Sequence, residues 1–127
     1  MHNACPVFRV EGTPNTRLLI SDAGDVRIVG NQRLHLNFGD SDRALEFYLQ
    51  RVAQGMPDVQ LKGFYVADEL LSVTQANGLA QRFGRLYPNA PQIVDVTKAA
   101  NQFGFPASWF NIIESFIIPN SGRIILP

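Results

Sequence analysis

Polar side chains that could do chemistry stand inside or beside apolar segments of the sequence. His35, between Leu34 and Leu36, titrates near neutral pH and can serve as a general acid or base. Glu114 follows Ile113, and its apolar neighbours could desolvate the carboxylate or simply flank it. The other candidates of this kind are Arg9, Asn37, Gln102 and Arg123. A polar strand residue opposite the core is commonly just solvated, so each candidate also has a purely structural explanation.

Arg9 lies between Phe8 and Val10 in a short predicted strand. Because successive strand residues point to opposite faces of a sheet, we expect its side chain to point away from the core. Its replacement is then expected to lower activity without unfolding the domain.

Composition and motifs exclude several classes of protein. The 127 residues carry 11 basic and 11 acidic side chains, so nucleic acid would need a local basic patch. The candidate patches are Arg17 with Arg27 and Arg33, and Arg82 with Arg85. Cys5 is the single cysteine, and His2 and His35 are the only histidines, so no disulfide, cysteine-based metal site or zinc motif is expected. The sequence has no Walker loop, Gly-x-Ser-x-Gly elbow or Rossmann glycine signature.

The overall composition is that of a globular domain. Of the residues, 46% are hydrophobic and 17% are charged, and the length predicts a single domain over residues 1–127. No apolar run approaches ~20 residues and no signal peptide is recognisable, so we expect neither a membrane span nor a Sec signal. Delivery as part of a larger polypeptide stays possible.

The segment 34–52 reads as a strand, a glycine-centred turn and an amphipathic helix. Leu34, Leu36 and Phe38 alternate with polar residues, which predicts a half-buried strand. Gly39 permits a sharp turn, and the helix over 42–53 has capping candidates before it and a stop after it, namely Asp40, Ser41 and Asp42, and Gly55. The predicted apolar helix face comprises Ala44, Leu45, Tyr48, Leu49 and Val52. The helix N-terminus could bind an anion or phosphate, or could be only a packed and capped turn.

The remaining elements predict an α+β domain with mostly antiparallel sheets, hairpins and three to four short helices. The predicted strands are 7–10, 17–21, 25–29, 61–66, 93–96, 116–118 and 123–126, of which the last two form a hairpin. The strands before residue 40 are expected to form a meander. The predicted helical segments are 68–75, 98–103 and one beginning at Pro106. Residues 79–91 form an excursion that could fold over a site as a lid.

Several segments carry a resemblance to a known family. They are Phe8-Arg9-Val10, Leu36-Asn37-Phe38-Gly39-Asp40 with Arg43-Ala44-Leu45-Glu46-Phe47, Val94-Asp95-Val96-Thr97-Lys98 with Asn101-Gln102-Phe103-Gly104, and Ile117-Ile118-Pro119-Asn120-Ser121-Gly122-Arg123. Over most of the chain they resemble the C-terminal toxin domains of Rhs-type polymorphic toxins. The layout is also similar to that of ADP-ribosyltransferase domains.

The resemblance implies an NAD-dependent ADP-ribosyltransferase toxin that uses NAD as substrate. Arg9 would then hold the dinucleotide, and Glu114 would be the catalytic carboxylate that stabilises positive charge on the ribose. His35 would be a further catalytic group. The remaining residues predicted to bind NAD are Asn37, Phe38, Gly39 and Gln102. The chain lacks the family's Ser-Thr-Ser, and Ile112 stands where its Glu-x-Glu motif would begin.

The same resemblance implies a secreted effector that is delivered into the cytoplasm of a target cell. Its partners would be a cognate immunity protein and a macromolecular target, either protein or RNA, with no membrane partner. Two alternatives stay open. One is a metal-independent ribonuclease toxin, with His35 as acid or base and Arg17, Arg33 or Arg43 on phosphate. The other is a non-enzymatic binding module.

Overall fold

The computed structural model describes residues 3–12, 17–80, 83–95 and 99–127. The strands are β1 (Ala4–Glu11), β2 (Leu18–Ile20), β3 (Val26–Ile28), β4 (Leu34–Phe38), β5 (Gln60–Ala67), β6 (Leu79–Ala80), β7 (Gln92–Asp95), β8 (Ala99–Phe105) and β9 (Arg123–Leu126). The helices are α1 (Ser41–Ala53), α2 (Asp68–Asn77) and α3 (Phe110–Phe116). None of these helices has the length and apolar character needed to cross a membrane.

A seven-stranded sheet with the order β6-β7-β8-β4-β1-β5-β9 organises the fold. All its neighbouring strands are antiparallel except β6 and β7. The predicted single α+β domain with mostly antiparallel strands is confirmed. The predicted meander is wrong, because β2 and β3 form a separate two-stranded sheet while β1 pairs with β4 and β5. The predicted hairpin of β2 and β3 is present.

One face of the large sheet carries the hydrophobic core. Phe38, Phe103 and Phe105 are fully buried there with ring centroids 5.9–6.1 Å apart, and Trp109 packs on Phe105. The core also includes buried residues of α2, α3 and the small sheet, namely Leu70, Phe110, Ile113, Leu18 and Ile28. Residues of alternate parity in β1, β4 and β8 point to the opposite face, where α1 lies.

The predicted strand, turn and helix around Gly39 are confirmed. Gly39 adopts φ +84° and donates its N–H to the Pro6 carbonyl, and the Asp40 carboxylate caps α1 by accepting from the Arg43 N–H at 3.0 Å. Gly55 ends the helix with φ +78° in a Schellman-type closure. The predicted apolar face of α1 is mostly unburied, because Ala44 is the helix residue that the sheet covers fully.

Two predictions for the C-terminal half are wrong, namely the helix over 98–103 and the final hairpin, whereas the predicted helix beginning at Pro106 is present one residue later. Residues 99–103, predicted to be helical, belong to β8, whereas Lys98 lies outside the described residues. Pro106 precedes a 3-10 turn, Ala107–Trp109, which leads into α3. The predicted hairpin of 116–118 with 123–126 does not form, because Phe116 ends α3, Ile117 makes an isolated bridge to Val66, and β9 also pairs with β5.

A buried ionic cluster joins β1, β5 and β2 on the core face. The Glu11 carboxylate accepts hydrogen bonds from Lys62 Nζ at 2.7 Å, Arg9 Nε at 2.8 Å and the Leu18 N–H at 3.0 Å. Lys62 also donates to the Leu18 carbonyl at 2.5 Å. Burial alone would raise the pKa of Glu11, but the hydrogen bonds and charges of Lys62 and Arg9 lower it below its usual range. The cluster therefore contains an ionised carboxylate at neutral pH.

Candidate functional site

A groove of about 700 Å³ lies between α1 and the sheet face opposite the core. Its floor consists of strand residues, namely Phe8, Arg9 and Val10 of β1, His35, Leu36 and Asn37 of β4, Val94 of β7 and Gln102 of β8. Its wall consists of α1 residues, namely Arg43, Ala44, Glu46, Phe47, Gln50 and Arg51. The strand register brings the floor residues together, since Asn37 is paired with Phe8 on one side and with Gln102 on the other.

His35 stands on the groove floor above a glycine. Gly104 is its partner on β8, and a Cβ at Gly104 would lie 3.0 Å from His35 Nε2 and 3.0 Å from Arg33 Cδ. His35 is exposed as a residue, yet its pKa is lowered, first because neighbours partly shield the imidazole from water and then because Arg9 and Arg33 are positively charged. Neutral imidazole, which can accept a proton, is therefore the main form of His35 at pH 7.

Arg9 supports the floor from behind. Its guanidinium donates to Glu11 Oε1 at 2.8 Å and to the His35 carbonyl at 3.0 Å. The expectation that this side chain points away from the core is wrong, because strand alternation places it on the face of Val7 and Glu11. In the pairing of β1 with β4, Val7 lies opposite Phe38 and Phe8 lies opposite Asn37. Past these two pairs, the hydrogen bond from the Arg9 guanidinium to the His35 carbonyl joins the two strands. Arg9 therefore fixes the backbone that carries His35.

The N-terminus of α1 is occupied by side chains of the chain itself. Asn37 is buried, donates through Nδ2 to the Asp40 carbonyl at 2.9 Å and accepts the Asp40 N–H at 2.9 Å. The Asp40 carboxylate in turn accepts a hydrogen bond from the Arg43 N–H in the first turn of α1. A phosphate at this helix end would meet that negative charge, so the geometry favours the capped-turn explanation of Asn37 and Gly39.

The structure brings together only part of the predicted site. His35, Asn37 and Gln102 line the groove, and Arg9 borders it although its side chain pairs with Glu11 on the core face. Phe38 is fully buried in the aromatic core on the other face, so its ring cannot touch a ligand in the groove.

Glu114 and the excursion over residues 79–91 also lie away from the groove. Glu114 is exposed on α3, whose Phe110 and Ile113 pack into the core on the opposite face of the sheet. None of the described residues of the excursion lines the groove, and its residues 86–91 instead border a smaller cavity of about 360 Å³ beside Trp109. The structure therefore gives neither Glu114 nor the predicted lid a place at this site.

The predicted phosphate-binding arginines lie in different places. Arg43 lines the groove, and Arg33 lies beside His35 and donates to the Gly104 carbonyl at 2.9 Å. Arg17 is held elsewhere, by hydrogen bonds to the Val29 and Gln32 carbonyls and by its guanidinium 5.8 Å from the centroid of the Phe110 ring. Of the other arginine candidates, Arg82 lies outside the described residues.

Sequence reasoning named Arg43 as a phosphate ligand but missed the rest of the polar wall of the groove. Arg43, Phe47 and Arg51 recur every four residues and so share one face of α1. The Arg51 guanidinium lies 4.6 Å from the centroid of the Phe47 ring, a cation–π contact. In the described part of the chain, neither Arg43 nor Arg51 forms an ion pair. The spacing was visible in the sequence, but the apolar residues at Ala44, Tyr48 and Val52 gave a competing face.

Among the described residues that line the groove, Glu46 of α1 is the carboxylate. Across residues 3–12, 17–80, 83–95 and 99–127, no group of three or more His, Cys, Asp and Glu side chains is arranged to hold a metal ion. Comparisons of the chain with protein-family models, with curated proteins and with solved structures found no match. The groove offers a ligand a neutral imidazole on its floor, cationic and aromatic groups on its wall, and side-chain amides.

Proposed function

We propose that the groove binds RNA and that the domain cleaves it as a metal-independent ribonuclease. The observation that carries this proposal is the position of His35, a neutral base on a groove floor, facing a wall with the cations Arg43 and Arg51. A phosphodiester needs such cations to bind and a base near its ribose to react. The neutral overall charge is compatible with this, because the arginines provide a local patch.

The reaction follows from these roles. The neutral imidazole of His35 takes the proton of a ribose 2′-hydroxyl, and the resulting 2′-oxygen attacks the adjacent phosphorus. The bond from phosphorus to the 5′-oxygen breaks, that oxygen takes a proton from water, and the hydroxide that remains takes the proton held by His35, which restores the neutral imidazole. The products are a 2′,3′-cyclic phosphate and a 5′-hydroxyl end. One of the two cations Arg43 and Arg51 would hold the non-bridging oxygens of the reacting phosphate, on which negative charge increases in the transition state, and the other would hold a neighbouring phosphate.

A second candidate is the NAD-dependent ADP-ribosyltransferase, and Glu46 is the observation that favours it. A carboxylate that stabilises positive charge on a ribose must lie in the ligand groove, where Glu46 lies and Glu114 does not. In that case Glu46 would take the role expected of Glu114, with NAD as substrate and protein or RNA as target. In either case a toxin delivered into a target cell would require an immunity protein, and the groove is the surface that such a protein would cover.

The test is incubation of the purified domain with a 5′-labelled single-stranded RNA in EDTA, and in parallel with NAD alone. We expect RNA fragments that end in 2′,3′-cyclic phosphate, and a loss of cleavage rate on the order of 100- to 10,000-fold in His35→Ala. Glu114→Gln, purified in the same way, is the matched control and should cleave like the parent. Intact RNA, or cleavage by His35→Ala at the parent rate, would refute the ribonuclease. Nicotinamide release that Glu46→Gln abolishes would favour the transferase instead.

A further inference from the structure

The groove wall repeats a cation, an aromatic ring and a cation along one helix face. Arg43, Phe47 and Arg51 are spaced by four residues, so neighbouring side chains start about 6 Å apart along the axis and the two arginines about 12 Å apart. Phe47 lines the groove, and 39% of its surface is exposed to solvent. The Arg51 guanidinium over its ring keeps this aromatic residue in place while leaving part of the ring open.

An open ring between two cations matches the chemistry of a single nucleic-acid strand. Phosphates alternate with bases along a strand, and an unstacked base can lie on an aromatic ring or a guanidinium plane. In an A-form duplex the bases are stacked on each other, and Phe47 could not reach a base face. The floor below adds a second ring, Phe8, and the Gln102 amide, which can donate to and accept from base edges.

We propose that the groove binds single-stranded RNA along α1, with one base stacked on the Phe47–Arg51 pair and flanking phosphates on Arg43 and Arg51. This rests on the proposed ribonuclease function and assigns its substrate class. Phe47 is a specificity-determining residue in this arrangement, because it selects unpaired over paired RNA. His35 lies below the strand on the floor and is not needed for the strand to bind.

The test separates binding from cleavage. A fluorescent oligonucleotide whose riboses carry 2′-O-methyl groups cannot be cleaved by 2′-hydroxyl attack, so its anisotropy reports binding alone. We expect Phe47→Ala to weaken binding roughly 5- to 150-fold, which is the usual effect of losing one base–aromatic stack. Phe47→Leu keeps apolar volume without a ring face and should also bind weakly. Leu49→Ala, an exposed apolar residue of the same helix outside the groove, is the matched control and should bind like the parent.

The salt dependence tests the cations separately. Arg51→Ala should make the plot of log affinity against log salt concentration shallower by about 0.7, the value for one phosphate of a single strand, whereas Arg123→Ala on β9 should not. The inference is overturned if Phe47→Ala and Phe47→Leu both bind like the parent, or if a duplex of the same sequence binds as tightly as the single strand. Binding of the single strand by a parent protein that cleaves no RNA would refute the ribonuclease but leave the assignment of the groove to single-stranded RNA standing.

Discussion

The buried Lys62–Glu11 pair predicts a large loss of stability when one partner is removed. Lys62→Met deletes one of the three donors on the Glu11 carboxylate and the donor on the Leu18 carbonyl. Removing one partner of a buried ion pair costs about 3–5 kcal/mol, and Arg9 still faces Glu11, so we expect about 3 kcal/mol. For a chain of 127 residues this corresponds to a fall in Tm of roughly 10 °C.

Thermal and urea unfolding followed by circular dichroism measure this loss. The double variant Glu11→Leu with Lys62→Met also removes the buried carboxylate that Arg9 alone would have to compensate, and it should be more stable than Lys62→Met alone. Arg9, at 15% side-chain exposure, can then turn its guanidinium towards water. A Lys62→Met protein within about 0.5 kcal/mol of the parent would show that the cluster is not buried as described. A double variant less stable than the single one would contradict the argument about the buried carboxylate.

Three further predictions use the same measurements. Gly104→Ala should lower RNA cleavage on the order of 10- to 100-fold with the fold retained, because its Cβ displaces His35, and the kinetics with a melting curve check this. Burial and then the negative charge of Asp68 raise the pKa of Cys5, so Ellman's reagent at pH 8 should react about 100-fold faster in urea than with the folded protein. The pKa of Glu11 is lower in the folded than in the unfolded protein, where it is about 4.3, so the ionised carboxylate contributes stability at pH values above about 4.3. This stability is lost as the pH falls through the folded-state pKa. Unfolding midpoints measured from pH 7 to 3 should fall accordingly, and the profile should be flatter in the double variant.

Local sequence signals predicted the segment around Gly39 well because the fold agrees with them. The alternation of Leu34, Leu36 and Phe38, the Asp40 cap and the Gly55 stop all appear in the structure as expected. Each of these signals depends on the conformational preferences of a few neighbouring residues, which can be read from the sequence without knowing the rest of the fold. The burial of the helix face could not be predicted in the same way, since it depends on which distant strands lie beneath it.

The C-terminal elements were mispredicted where distant pairing outweighs local pattern. Residues 99–105 form a strand because Phe103 and Phe105 fill the aromatic core while Gln102 and Gly104 pair across to β4. After Phe116 the chain pairs with β5, through Ile117 and again through β9, and does not form a hairpin. The sequence pattern of two apolar runs joined by a turn is the same for a hairpin and for two segments that pair with a third strand. Such choices follow from the whole sheet and not from a window of sequence.

Several floor residues of the candidate site were predictable one by one, but neither their arrangement nor most of the wall on α1 was. His35, Asn37 and Gln102 share the groove because register pairs their strands. The sequence left open whether the apolar neighbours of Glu114 desolvate its carboxylate or simply flank it, and the helical period of α3 turns Ile113 inward and leaves Glu114 exposed. The ionic environment of Arg9 was equally hidden, because its partners Glu11 and Lys62 meet only after β1 pairs with β5.

The light packing of α1 has a consequence for the timescale on which the groove exists. The helix buries Ala44 alone, and it is tied down by the Asn37–Asp40 turn at its start and by the Tyr48 hydroxyl on the Pro127 carbonyl at 2.8 Å. An element with so little apolar contact opens at a smaller free-energy cost than the central strands β1 and β4. Amide hydrogens of α1 should therefore exchange with solvent through local opening, well before those of the sheet. A ligand that touches both wall and floor binds only the closed form, so its affinity and the exchange protection of α1 report the same equilibrium.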